Sequence, residues 1–157
     1  MRKILRCEIP LLTPDGKVLT PIQIVYDDTE IIANPSSEIT LSYNGNEYKG
    51  YGTDYLWLDT LADLEIKLPS DVKIACCMTC RHGNMCPYGN IANELFCTKD
   101  ICIESKEDIC KLFDQTAPFE ERSVASLDFC DNFVYQNDAY YTYNDYLYHL
   151  NTKRANL

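Results

Sequence analysis

Histidine is scarce in this chain, with two residues, His82 and His149, among 157. Neither belongs to an H-x-x-x-H or H-x-E spacing, so hydrolytic zinc centres and zinc deaminases lack their usual ligands here. The six glycines form no phosphate-cradling loop, no G-x-G-x-x-G and no serine elbow. Every standard catalytic constellation is missing, and the expectation is a protein that is not an enzyme. Positive charge is also in deficit: fourteen Lys and Arg face twenty-four Asp and Glu, for a formal charge of −10. A polyanionic duplex or an anionic leaflet would be repelled, so neither nucleic acid nor membrane is expected as a partner, whereas a basic protein surface would be steered in.

No stretch reaches eighteen uncharged apolar residues, which excludes a spanning helix. The basic start Met1-Arg2-Lys3 is followed by an apolar stretch that Arg6, Glu8 and Pro10 interrupt before a signal-peptide core forms. The expected location is therefore the cytoplasm, a reducing compartment. There, nine cysteines point to metal rather than disulfides.

What is present is ordinary globular composition, 46% hydrophobic and 24% charged, in a chain long enough for one core. The patterning predicts a single α+β domain over residues 1–157, built from an antiparallel sheet, about three helices and a cysteine-ligated zinc knuckle. Residues 1–52 read as mostly β: Ile4 to Leu12, Val18 to Tyr26, Glu38 to Tyr43 and Glu47 to Tyr51 are rich in β-branched and aromatic residues. Asp15-Gly16 and Asn44-Gly45 mark two hairpin reversals, and Pro21 belongs at an edge or bulge. Over 53–68 the period becomes helical. Trp57, Leu61, Leu64 and Leu68 share a face, Thr53 or Asp54 caps the start, and Pro69 ends it.

Val72 to Cys76 reads as a strand leading into a knuckle over 76–104, and 105–157 as helix, strand, helix. Ser105 with Asp108 has capping-box spacing. A last helix from about Asp138 carries Tyr143, Tyr146, Leu147 and Leu150 on one face, with Lys153 and Arg154 at its negative end.

The chemistry-bearing segment runs from Cys76 to Gly89, followed by Cys97. Cys77 and Cys80 have the C-x-x-C spacing that lets one turn aim two sulfurs at a tetrahedral Zn2+ about 2.3 Å away. Gly83, Pro87 and Gly89 supply turns, and Cys97 returns as a third ligand. Three residues compete for the fourth place: Cys86 is nearest, His82 is a donor, and Cys130 would come from another strand. A thioredoxin-like redox pair would need a βαβ frame that the pattern does not show. Cys7, Cys102 and Cys110 read as small buried hydrophobes, and Cys76 as core packing.

The order C-x-x-C, Pro-Tyr-Gly, a lone Cys, then Cys three residues before Phe is filled here by Cys77, Cys80, Pro87-Tyr88-Gly89, Cys97 and Cys130-Asp131-Asn132-Phe133. It resembles a scattered set of uncharacterised bacterial proteins, over roughly residues 54–135. The resemblance implies Cys77, Cys80, Cys97 and Cys130 as the metal ligands with Cys86 outside the set, although this chain departs from the pattern in placing Cys86 directly before Pro87. Some members of that set look like immunity or accessory proteins of bacterial toxin systems. Together with the acidity and the run Tyr140-Tyr141-Thr142-Tyr143, this implies a binding protein for a basic partner. The rival reading is a small thiol- or metal-dependent enzyme or redox sensor using Cys80 or Cys86 with a histidine.

Overall fold

The structure, a computed structural model, describes residues 1–27, 36–53, 57–88, 95–114 and 119–157. Asp54 and Gly89, expected as a helix cap and a turn, lie outside them. The chain forms two compact units, Met1–Ile74 with Tyr148–Leu157, and Ala75–Leu147. No described helix is long and apolar enough to cross a membrane.

The first unit is a five-stranded antiparallel sheet in the order β4-β3-β2-β1-β5. Its strands are β1 (Arg2–Thr13), β2 (Gly16–Asp27), β3 (Ser37–Tyr43), β4 (Asn46–Gly52) and β5 (Lys73–Ile74). The α+β class read from the pattern holds, and four expected strands form with ends a residue or two longer. Alternation explains the layering: Ile9, Leu11, Ile22, Ile24, Ile39 and Leu41 are buried and their period of two puts them on one face.

The second hairpin closes on Asn44 and Gly45, both at positive φ (49° and 79°), the backbone of a two-residue type I′ turn. The first closes differently. Pro14 and Asp15 form its loop between Thr13 and Gly16, and Gly16 alone takes positive φ (117°). Pro21 lies one step beyond Ile22, where the β2–β3 ladder ends, so its missing N–H costs no bond.

Helix α1 (Leu58–Glu65) is shorter than the expected 53–68. Trp57 is its N-cap in the left-handed region (φ 58°) and packs its ring edge-on to Tyr26 at 5.7 Å, so its side chain is diverted from the helical face assigned to it. Leu58, Leu61 and Leu64 are buried in α1, and Leu68 just beyond it. The helix lies so close to β4 that a methyl on Gly50 would meet the Leu64 backbone nitrogen at 2.7 Å.

The second unit holds a three-stranded sheet, β6 (Gly83–Met85), β7 (Leu95–Cys97) and β8 (Ser123–Val124), and helix α2 (Lys106–Asp114). The box expected at the start of α2 is present: Asp108 accepts the Ser105 N–H at 3.1 Å and its own N–H reaches the Ser105 hydroxyl at 3.4 Å. The last helix, α3, spans Tyr146–Ala155 and starts eight residues later than expected, because the preceding segment is bound to β6.

Candidate functional site

The C-x-x-C segment forms a single 3-10 turn, Cys77–Thr79. Thr79, fully buried, pins it: its hydroxyl accepts the Cys76 N–H and donates to the Cys76 carbonyl, both at 3.1 Å. The Cys80 N–H closes the turn on the Cys77 carbonyl at 3.3 Å. Half of the cysteine set is thus fixed locally, as the spacing predicts.

Distant segments then reach this turn through backbone pairing. Cys77 donates its N–H to the Asp128 carbonyl at 2.6 Å, Met78 to Ser126 at 3.0 Å and Arg81 to Val134 at 2.8 Å. Cys80 forms an antiparallel bridge with Tyr135. Residues 126–135 therefore run alongside the turn, with Cys130 in a tight reversal of its own, where Phe133 donates to the Cys130 carbonyl at 3.1 Å. Cys97 arrives by another route: it is the strand partner of Gly83 in β6, and a methyl on Gly83 would strike the Cys77 carbonyl. Gly83 thus serves close approach within a strand rather than the turn expected of it.

The charges report the same gathering. Burial pushes the Cys77 thiol up to about 12, and Cys76, Cys80, Asp128 and Cys97 add to the rise. Burial also raises Cys80, with smaller contributions from Cys97 and Cys130. Cys80 is thus within electrostatic reach of Cys77, Cys97 and Cys130, and Cys77 within reach of Cys97. Among the described residues, however, no three His, Cys, Asp or Glu side chains stand in an arrangement that could hold a metal ion. The backbone pairing and these pairwise effects draw the four toward the Cys77–Cys80 turn, and ligating geometry is not established.

The remaining candidates sit elsewhere. Met85, just before Cys86, pairs with Leu95, two residues along the ladder from the Gly83–Cys97 pair, so Cys86 continues away from Cys97 at about 3.3 Å per residue. Burial lowers the pKa of His82. His149 belongs to the first unit, where its Nδ1 lies 3.4 Å from Asp59. Cys76 is buried as expected, whereas Cys102 is exposed, with its thiol 3.8 Å from the Glu104 carboxylate. Its flanking apolar residues suggested burial, but it precedes α2 in a stretch without regular structure.

A polar clamp that the sequence did not announce holds residues 126–144, a strap across this unit, to the turn. Gln136, buried, donates its amide to the Met78 carbonyl (2.9 Å) and to Asn144 (3.0 Å). Asn144 donates to the Gly83 carbonyl (2.6 Å). Asn84, fully buried, donates to the Thr98 hydroxyl (2.9 Å) and accepts the Tyr143 N–H (2.7 Å). The tyrosine run is consequently part of the unit's own packing: Thr142 donates to the Arg81 carbonyl (2.8 Å), and the Arg81 guanidinium stacks 3.5 Å from the centre of the Tyr140 ring. Cys97 is braced too, since Arg122 donates to its carbonyl at 3.1 Å while forking onto both oxygens of Asp100.

Compared with protein-family models, curated proteins and solved structures, the chain matches none of them.

Proposed function

We propose that the second unit closes on a zinc ion held by Cys77, Cys80, Cys97 and Cys130, and that the protein works by binding a partner with a basic surface rather than by catalysis. The observation that supports the ligand set is the convergence of backbone. Residues 126–135 flank the Cys77–Cys80 turn and carry Cys130 with them, while Gly83 brings Cys97 beside the Cys77 carbonyl. Soft thiolates in a closed tetrahedral site favour zinc, and its binding would add directly to the stability of a unit whose strands have only two or three residues.

The binding role rests on what the strap exposes. Asp128, Asp131 and Asp138 are exposed along it together with Val134 and Tyr140, acidic and apolar groups on a chain of charge −10. Toxin neutralisation, which the resemblance implies, would be one instance of such binding.

Metal analysis of the purified protein and of Cys86→Ser and Cys130→Ser tests the ligand set. The expected result is about one zinc per chain, kept in the first variant and lost in the second. Native protein that is metal-free and equally stable in a strong chelator would overturn the zinc reading, and the reverse pattern of variants would overturn the ligand set. Partner capture at low and high salt tests the electrostatic role, which fails if capture is insensitive to salt.

A further inference from the structure

Among the described residues, strand β1 presents an open edge. On one side β2 accompanies it throughout, whereas on the other β5 pairs only with Leu11 and Leu12. Arg2, Lys3, Ile4, Leu5, Arg6 and Glu8 are all exposed.

Which backbone groups face outward follows from parity. Asp27 donates its N–H to Ser36 at 3.1 Å, away from β1, and successive residues of an antiparallel strand turn their N–H and C=O to alternate sides. Arg2, the partner of Asp27, therefore faces away from β2, and so do Ile4, Arg6 and Glu8. Both prolines agree with this phase. Pro21, opposite Glu8, turns its nitrogen away from β1, and Pro10 turns its own to the open side, so neither removes a donor from the β1–β2 ladder.

We propose that this edge pairs antiparallel with the same edge of a second copy, about a two-fold axis at Leu5. Leu5 opposite Leu5 sets Arg2 opposite Glu8 and Ile4 opposite Arg6, each twice. The four outward residues of each chain then all find partners, in about eight main-chain hydrogen bonds.

Charge selects this register. One-residue slips put the outward rows out of phase. A slip of two in one direction sets Arg2 against Arg6, and in the other sets Arg6 against itself and Pro10 into the row; both place like charges directly opposite. In the chosen register the Arg2–Glu8 pairs match, and Leu5, 37% exposed, meets its copy at the closely spaced, non-hydrogen-bonded position. Ile4, 57% exposed on the other face, lies along the aliphatic stem of Arg6. Charged residues commonly guard such edges against pairing; under this two-fold Arg2 and Glu8 are matched, while Arg6 meets Ile4 and Lys3 meets Cys7. Arg2–Glu8 holds three of the chain's fourteen basic residues and one acidic residue, so the segment does not share the negative excess of the chain as a whole.

Sedimentation over a concentration series of roughly 1 μM to 1 mM reads the assembly. The wild type is expected to approach twice the 18.1 kDa chain mass. Ile4→Pro removes an outward N–H while sparing the β2 ladder, and should leave a monomer with unchanged circular dichroism. Arg2→Glu should weaken association about tenfold or more, and adding Glu8→Arg should restore it. A single-chain mass at every concentration, a dimer that survives Ile4→Pro, or failure of the double exchange to restore association would each overturn the proposal. The charge exchange decides the matter even if the proline variant does not fold.

Discussion

The carboxylate of Glu65, at the end of α1, accepts the backbone N–H of Ile74 in β5 at 2.9 Å, with the Glu65 side chain wholly out of solvent. Lys73 and Arg154 stand 4.0 and 3.9 Å from the same carboxylate, which is how a buried charge is retained. One side chain thereby ties the covering helix to the last strand of the sheet.

Replacing Glu65 by Ala leaves the Ile74 N–H buried without that acceptor, and is expected to destabilise the protein by about 1–3 kcal/mol. Glu65→Gln keeps an acceptor and should cost less. Urea unfolding followed by circular dichroism measures both, and equal stability of Glu65→Ala and wild type would show that the contact contributes nothing net.

Gly83→Ala isolates the close approach on which the cysteine cluster depends. Gly83 has no positive φ, so the added methyl acts only by contact, against the Cys77 carbonyl and, at 3.3 Å, the Leu95 side chain. A loss of about 1–3 kcal/mol is expected, together with weaker zinc retention under chelator challenge. Unchanged stability and retention would mean that the Cys77 carbonyl can withdraw freely.

Asp100 supplies a pH signature. Its hydrogen bonds from the Arg122 guanidinium hold its carboxyl at about 2, below the ordinary 3.8. A carboxylate with a depressed folded-state pKa stabilises the protein above its unfolded value and loses that contribution as pH falls through the folded one. The stability difference between wild type and Asp100→Asn should therefore be constant above about pH 5, shrink from about pH 4 downward and be nearly gone near pH 2. The pair is exposed, so added salt should reduce the difference. A difference that does not change with pH would dissociate Asp100 from the effect.

The sheet was legible because its signals are local. Alternating apolar residues, Asn44-Gly45 and Pro21 each act within a few positions, and β1 to β4 follow one another as neighbours. The start of α3 was not legible. Tyr143 continues the helical spacing of Tyr146, Leu147 and Leu150, but its carbonyl accepts the Met85 N–H (2.8 Å) and its own N–H goes to Asn84. Asn144 then accepts the Tyr146 N–H at 3.0 Å, so the helix begins where a side-chain cap meets it. In the cysteine cluster, spacing revealed the Cys77–Cys80 turn. The clasp by residues 126–135 and the buried amides of Asn84 and Gln136 escaped notice, since they arise mostly from pairing between segments far apart in the chain, as between Gln136 and Met78 or Asn84 and Tyr143, and leave no periodic trace.

The division of the chain at Ile74 and Tyr148 bears on the order of folding. All five strands of the first unit are synthesised before the cysteine-rich unit begins, and neighbouring hairpins can assemble early because their loops are short. Lys153 and Arg154, which pair with Asp59 and Glu65, leave the ribosome only after the whole intervening unit has been made. A sheet assembled on the growing chain would therefore hold with α1 lacking two of its cationic partners, which the carboxy-terminal half of α3 supplies last.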